Sequence, residues 1–409
     1  MTKQRLFSLG LTAIVLSVAG KAQPIPAPAS TFVGGPGDQK GAAVGVQGGA
    51  VYVTGNQAGG MLTSRFSLNP GAPIWTNLYS APSSTSRAVA ATPTFALAFG
   101  SILPGTCPGA VDGVGDTEAK IFVNRVSTNG ASAGCTGSPA FSYKGYEGIH
   151  GVTEANDGTG ALFAGGFGEN CGFGHTLIVL EKRDGNGNLV LRVTEPNTDF
   201  TRFDCQGYSD VLGLATLNGS VYAAGSSKLT SESGAIAPMI MRYDTNLQRV
   251  WKQRSSEYAG NLNAVAGFEG SVFAVGAVNG ASGVKEQLIE KYSEAGTRQW
   301  SLTAGPGQLL GVASVGCRLF AVGHNGNGST RDAVIREIDP DSGAILQTLA
   351  FGGSLDDAAT GVAATRRTLY VVGESNSFAT PEGNPVGSYD TALWSFDIKR
   401  RVGAALNCN

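Results

Sequence analysis

The sequence predicts an all-β protein, a seven-bladed β-propeller of four-stranded antiparallel blades. Three observations predict it: a repeat that occurs seven times, short apolar runs separated by turn residues, and first strands that are leaner than the second strands. Repeats of roughly fifty residues that contain only strands have the length that propeller blades need.

Each repeat has a small residue followed by Val or Leu, and then a second apolar run that ends in glycine. The clearest copy has Gly361-Val362 followed by Leu369–Gly373. In six copies the Val or Leu lies eleven residues before the glycine, and in the third copy the spacing is fourteen. The closing glycines are Gly55, Gly100, Gly166, Gly225, Gly276, Gly323 and Gly373.

Alternation and turn residues give the order of strands within a repeat. The seventh copy predicts strands at Thr360–Ala364, Leu369–Val372 and Thr391–Ile398, and the fifth shows third and fourth strands at Gln287–Tyr292 and Trp300–Leu302. The first strands are rich in glycine and alanine, which ordinarily weaken a strand. Crowding of the first strands around a central axis is the steric cause that we expect.

The N-terminal segment predicts how the ring is closed. Residues Ser30–Gly35 are similar to Leu349–Ser354, which lead into the last repeat. We therefore expect an N-terminal strand to join the last blade beside Leu393–Ile398, which also covers an edge open to aggregation. The alternative is that Val402–Leu406 takes this place.

The first residues predict export. Lys3 and Arg5 precede an apolar run from Leu6 to Val18, and Ala19-Gly20-Lys21-Ala22 then has small residues at the positions that a signal peptidase reads, so we expect cleavage after Ala22. Residues 1–22 are thus a predicted signal peptide, and residues 23–409 a single propeller domain that is secreted or periplasmic. The apolar run is short for a membrane span, and no second long apolar stretch follows.

Charge excludes some partners. Removal of the leader takes away Lys3, Arg5 and Lys21 and no acidic residue, which leaves 26 basic and 31 acidic residues. Such a balance provides no electrostatic basis for binding nucleic acid or anionic lipid.

Six cysteines in an exported chain predict disulfides, although fifteen pairings are possible. We expect neighbours in sequence to pair. The expected pairs are Cys171 with Cys205, Cys317 with Cys408, and Cys107 with Cys135, of which the last needs the insertion Leu103–Glu118 to bring its loops together.

Two segments resemble the bacterial secreted β-propeller repeat family. One is Phe351–Ala359 with Leu369–Gly373, and the other is Phe32–Asp38 with Val51–Gly55. The resemblance implies a seven-bladed extracytoplasmic propeller. It implies no reaction, because propellers carry binding modules, scaffolds and enzymes alike.

Carboxylates at the starts of the first strands are the candidate metal ligands. Asp38 and Asp356 lie six residues before Val44 and Val362, and Asp210 lies near the same place in its own repeat. Oxygen ligands that converge on a channel mouth suit calcium. The alternative is that these side chains accept hydrogen bonds from backbone amides of the entering loops.

Other motifs give weaker hypotheses. His150, His175 and His324 are candidates for a zinc or copper site if one face of the ring brings them together. The Gly-x-Ser-x-Gly pattern at Gly130–Gly134 is expected in a loop, and Asp184–Asn188 in a hairpin turn. Trp75, Trp251 and Trp300 recur at the start of fourth strands, where packing between blades explains them. No catalytic residue or organic cofactor is predicted.

The function that we expect is a non-catalytic binding or scaffold module for a protein, glycan or envelope component. Insertions at Leu103–Glu118, Lys228–Ala237 and Asn376–Asp390 favour it, because recognition varies in loops on a rigid scaffold. The alternative is a metal-assisted hydrolase or lyase with its site at the channel mouth. A purely structural role is a third hypothesis.

Overall fold

The computed structural model describes residues 28–33, 38–57, 60–81, 84–103, 107, 120–138, 147–155, 157–169, 176–195, 208–228, 236–328, 330–378 and 385–398. The predicted signal peptide (residues 1–22), Cys171, His175, Cys205, residues 402–406 and Cys408 lie outside them. The regular elements of these residues are all β-strands, as predicted. In this part of the chain no helix is long and apolar enough to cross a membrane.

Hydrogen bonding in the described residues groups the strands into six antiparallel sheets, five with four strands and one with seven. Sheet I contains β2 (Gln39–Gln47), β3 (Ala50–Gln57), β4 (Gly60–Ser67) and β5 (Trp75–Ser80). Sheet II contains β6 (Thr85–Ala91), β7 (Phe95–Ile102), β8 (Lys120–Ser127) and β9 (Ser132–Gly137). Sheet III contains β10 (Glu147–Glu154), β11 (Leu162–Glu169), β12 (Thr176–Arg183) and β13 (Leu189–Glu195). Sheet IV contains β14 (Tyr208–Leu217), β15 (Ser220–Lys228), β16 (Ala237–Asp244), β17 (Arg249–Arg254).

Sheet V holds the fifth and sixth repeats together. It contains β18 (Gly260–Phe268), β19 (Ser271–Asn279), β20 (Lys285–Ser293), β21 (Arg298–Val315), β22 (Arg318–Asn325), β23 (Asp332–Ile338), β24 (Ile345–Phe351). The first part of β21, up to Pro306, pairs with β20, and the part from Gly307 pairs with β22. The separate strands predicted for these two repeats are therefore joined into one.

Sheet VI combines the first and the last strands of the described residues. It contains β25 (Asp357–Ala364), β26 (Thr368–Ser375), β27 (Asp390–Asp397), β1 (Ala29–Val33). The N-terminal strand β1 pairs with β27, with Thr31 opposite Leu393, which confirms the predicted pairing. The first strand of this sheet, β25, contacts β2 of sheet I.

The packing explains why the first strands are lean. A Cβ atom on Gly213 in β14 would lie 2.7 Å from the Cα of Ala264 in β18, and one on Gly151 would lie 3.0 Å from the Cα of Gly213. Neighbouring first strands thus approach backbone to backbone. The second strands instead bury large side chains between sheets, among them Tyr222, Phe273, Phe320 and Tyr370.

A β-bulge explains the closing glycine of every repeat. In each first strand one extra residue interrupts the register with the second strand; these residues are Ala42, Arg87, His150, Leu212, Asn263, Leu310 and Thr360. At each bulge a Cβ on the closing glycine would lie between 1.7 and 2.5 Å from the carbonyl oxygen two residues before the extra residue. No other amino acid fits these positions without moving the backbone.

The recurring tryptophans pack between sheets, as predicted. The rings of Trp75, Trp251 and Trp300 lie against Gly130, Gly296 and Gly343 in the turns of the following repeats. The indole Nε1 of Trp75 donates to the carbonyl of Thr128 at 3.0 Å, and that of Trp251 donates to the carbonyl of Glu294 at 2.9 Å. These contacts attach the fourth strand of one repeat to the third-to-fourth turn of the next.

Candidate functional site

The three predicted carboxylates lie where first strands begin. Asp38 directly precedes β2, Asp356 directly precedes β25, and Asp210 is two residues before the bulge in β14. We call this end of the sheets the entrance face. The connections between second and third strands emerge at the same end, because neighbouring strands are antiparallel.

Asp356 has a complete set of donors. The guanidinium of Arg331 donates from Nε to Oδ1 at 2.7 Å and from Nη2 to Oδ2 at 2.5 Å, and the backbone N–H of Arg331 adds a bond of 3.0 Å to Oδ1. The hydroxyl of Tyr389 donates to Oδ2 at 2.7 Å. The hydrogen bonds from Arg331 hold the pKa of Asp356 well below its usual range, so the carboxylate is ionised at neutral pH.

These residues belong to a charged junction of Asp38, Lys40, Arg331, Asp356, Glu374 and Tyr389. Arg331 also binds Glu374 at 3.1 Å, and Lys40 lies 3.5 Å from the other oxygen of Glu374. Asp38 accepts the backbone N–H of Tyr389 at 3.1 Å. Because its members come from sheets I, V and VI, the junction fastens three sheets together. Asp38 and Asp356 thus both accept backbone hydrogen bonds, but from connections between second and third strands and not, as the alternative expected, from the loops that enter the first strands.

Replacing Asp356 with asparagine is expected to lower the melting temperature at pH 7, because Asp356→Asn removes the ion pair with Arg331. The low pKa of Asp356 in the folded state means that its contribution is present above the unfolded-state pKa of about 3.9 and is lost as the pH falls below it. Melting curves of both proteins between neutral and acid pH measure this. The gap between them should close on acidification, and a constant gap would contradict the assignment.

The third carboxylate, Asp210, lies in a different environment. Its Oδ2 is 3.3 Å from Nδ1 of His150, the bulge residue of β10 in the neighbouring sheet, and 3.5 Å from the hydroxyl of Tyr208. Its Oδ1 has no hydrogen-bond partner among the described residues, although Asp210 is only 3% exposed. The His150 ring packs against Phe167 with centroids 5.3 Å apart. We call these four residues the His150–Asp210 site.

The tyrosine of this site stays protonated. Burial, helped by the charge of Asp210, raises the pKa of Tyr208 to about 12. Its hydroxyl therefore acts as a donor at neutral pH. The contrast with Asp356 selects the candidate: Asp356 receives four donors at short distance, whereas Asp210 has two long contacts and an unused oxygen. The His150–Asp210 site is the candidate because it combines a buried carboxylate oxygen without a partner with a partly exposed imidazole.

The calcium site at Asp38, Asp210 and Asp356 stays a prediction. The structure brings Asp38 and Asp356 together around Tyr389, whereas Asp210 pairs with His150. Within the described residues no group of three or more His, Cys, Asp or Glu side chains is placed to hold a metal ion. His324 lies within the sixth repeat's second strand, β22, where Nδ1 lies 3.2 Å from the carbonyl of Gly326 and burial lowers the pKa of the imidazole.

The remaining motifs are structural. Asp184–Asn188 forms the predicted hairpin turn, in which Gly187 N–H donates to the Asp184 carbonyl at 2.9 Å. The Gly-x-Ser-x-Gly pattern extends from a turn into the outer strand β9, which begins at Ser132, rather than lying wholly in a loop as expected.

One of the three expected cysteine pairs is present among the described residues. Cys107 and Cys135 form a disulfide. Cys135 lies within β9 and not in a connection, so of the two cysteines only Cys107 belongs to the insertion Leu103–Glu118. Cys317 is disulfide-bonded. Cys408, its expected partner, lies outside the described residues, as does the expected pair Cys171 and Cys205.

Comparison with known proteins supports the architecture. No protein-family model matches the chain, and no curated protein matches it. The WD40 β-propeller domain of Doa1 is similar in structure, with a TM-score of 0.55 and 11% identity, over 93% of this chain and 99% of that one. Hydrazine synthase of Kuenenia stuttgartiensis has a TM-score of 0.55 and 11% identity, over 83% and 94%. At such identity the likeness shows the fold alone, and the fold is that of a β-propeller.

Proposed function

We propose that the protein is an exported, non-catalytic β-propeller that binds a protein, glycan or envelope component on its entrance face. The observation that carries this is the unequal length of the connections. At the opposite end the first and second strands are joined by short turns such as 48–49, 218–219 and 269–270. At the entrance face, long connections span residues 103–119, 229–236 and 376–389. Loops of variable length on a rigid scaffold are typical of recognition surfaces.

The scaffold in this proposal is a closed ring of seven blades. The division of β21 between two pairing partners supports counting sheet V as two blades. Bonds from the last repeat to the first support closure: the hydroxyl of Thr360 donates to the Gly41 carbonyl at 2.8 Å, and that of Tyr370 donates to the Leu68 carbonyl at 2.6 Å. The β1–β27 pair then joins the two chain ends within the last blade.

The proposed location is the periplasm or the medium. The Cys107–Cys135 disulfide supports an oxidising compartment, because cytosolic thiols are kept reduced. The charged and apolar pattern of residues 1–22 supports export through a cleaved signal peptide.

Shortening one entrance-face connection tests the proposal. Replacement of residues 379–384 by two glycines should abolish capture of a partner from the native envelope fraction and leave the melting temperature unchanged, because these residues lie between strands. The matched control inserts two glycines between Asn218 and Gly219, in a turn at the opposite end, and should capture the partner normally. Equal capture by both variants would contradict the assignment of the binding face.

A metal-assisted hydrolase or lyase, predicted with Asp38, Asp210 and Asp356 as metal ligands, is the second candidate, although Asp356 accepts bonds from Arg331 and Tyr389 and Asp210 lies beside His150. The unused oxygen of buried Asp210 beside His150 favours it. Metal analysis after gentle purification separates the two candidates. A stoichiometric ion whose removal abolishes an activity would favour the enzyme, and Asp→Asn variants with unchanged function would exclude it.

A further inference from the structure

Asp210 is a buried carboxylate whose hydrogen-bonding capacity is mostly unused. An ionised carboxylate accepts about four hydrogen bonds. Asp210 has one at the 3.5 Å limit, from Tyr208, and a 3.3 Å contact with His150, both on Oδ2. Its Oδ1 has none within the described residues. Burial of a poorly paired carboxylate is costly, so the site calls for a donor, preferably one that carries positive charge.

The site offers two acceptors to such a donor. When Nδ1 of His150 donates to Asp210, the neutral imidazole presents Nε2 as an acceptor. The second acceptor is the free Oδ1 of Asp210. His150 is the accessible member of the pair, with 21% of its side chain exposed against 5% for Asp210. Oδ1 itself is fully buried, so a ligand that approaches along the imidazole contacts it only after the Asp210 carboxylate or the His150 ring rotates.

We infer that the His150–Asp210 site binds a primary ammonium group. Such a group combines a positive charge with three N–H donors, which match Asp210 Oδ1 and His150 Nε2 and leave one donor for water or the ligand itself. A quaternary ammonium has the charge without the donors, and a sugar hydroxyl has a donor without the charge. A divalent metal ion needs more ligands than these two residues supply. Within the described residues no third one completes a set.

A lysine side chain of a partner protein and a small amine such as an amino sugar share this chemistry. The inference deepens the proposed function and rests on it, because it gives the entrance face a ligand chemistry. Nα-acetyl-lysine methylamide and glucosamine represent the two sources, and n-butylammonium represents the ammonium group alone.

Calorimetric titration of the full secreted chain at constant low ionic strength tests the inference. n-Butylammonium should bind saturably to the wild type, and at least tenfold more weakly to Asp210→Asn. Asp332→Asn is the matched control, because it removes an exposed carboxylate at the start of β23, on the same face, and it should bind as the wild type does. Tetramethylammonium should bind at least tenfold more weakly than n-butylammonium. Tighter binding of the lysine derivative or of glucosamine identifies the source.

His150→Gln provides a second variant in case Asp210→Asn does not fold, and it should weaken n-butylammonium several-fold. The inference is overturned if the wild type shows no saturable binding, if tetramethylammonium binds equally well, or if both Asp→Asn variants bind like the wild type. It is also overturned if calcium binds in place of n-butylammonium. Because the titration uses no partner, its failure is distinct from failure of partner capture.

Discussion

Replacement of Gly276 by alanine is expected to lower the free energy of unfolding by about 3 kcal/mol. Gly276 closes the second strand of the fifth repeat, opposite the bulge at Asn263. The new Cβ would lie 1.9 Å from the carbonyl oxygen of Asn261 and 2.8 Å from the Cα of Leu262. Both contacts are with backbone, so no side-chain rotation relieves them, and the bulge must open. Urea unfolding at neutral pH measures the loss.

Gly71→Ala is the matched control. Gly71 lies in an exposed turn, where a Cβ would meet nothing within 4 Å. The substitution should change stability by less than about 1 kcal/mol, in either direction. If Gly276→Ala and Gly71→Ala had equal effects, the steric explanation of the repeat glycines would be wrong.

The closing glycine of each repeat, which helped to predict the architecture, is thus required by the β-bulge in the first strand. The lean first strands and the closing glycines could be predicted because their causes recur in every repeat. The bulge itself could not, since its extra residue is Ala, Arg, His, Leu, Asn, Leu or Thr in the seven copies and so carries no pattern. Its trace in the sequence is the glycine on the opposite strand.

The continuous strand β21 was not predictable from local turn chemistry. The segment Ala304–Gly307 reads as a turn, because it contains Gly305, Pro306 and Gly307. In the structure both glycines have positive φ, +88° and +124°, and Pro306 lies opposite Glu286 at a register irregularity. The glycines let the backbone cross from one repeat to the next without a break in pairing.

The sequence located the candidate carboxylates but not their partners. Asp38 and Asp356 were found by their equivalent positions, whereas Arg331 comes from a different repeat and has no counterpart that would mark it. His150 and Asp210 were each noticed separately. Their pairing depends on contact between β10 and β14, which lie in consecutive repeats and are brought together only by packing of the first strands.

A buried ionic network holds sheets II and III together. Glu181 and Arg183 are fully buried in β12, where Arg183 Nε donates to Glu181 Oε2 at 2.8 Å. Ser138, which follows β9, donates to Glu181 Oε1 at 2.5 Å. Arg192 lies 3.3 Å from the same oxygen and binds Glu147 at 2.8 Å. The two carboxylates and two guanidinium groups compensate one another.

Glu181→Ala is expected to destabilise the protein by about 3–5 kcal/mol, because it leaves the guanidinium of Arg183 buried without a compensating charge. Guanidinium chloride would screen the ions, so urea unfolding is the measurement. The double variant Glu181→Met with Arg183→Met should recover part of the loss, since it removes both buried charges and keeps the Glu147–Arg192 pair.

Asp341→Ala separates buried from exposed ion pairs. Asp341 also faces a cation, with Oδ1 3.6 Å from the Nζ of Lys291, but 95% of its side chain is exposed. Water screens this pair, so its removal should produce no measurable loss. Arg183 is completely buried, so water and counter-ions do not reach its guanidinium in the folded protein. If Glu181→Ala nevertheless lost no more stability than Asp341→Ala, this description of the buried network would be wrong. If the double variant were less stable than Glu181→Ala, the network would contribute by geometry and packing rather than by compensating charge.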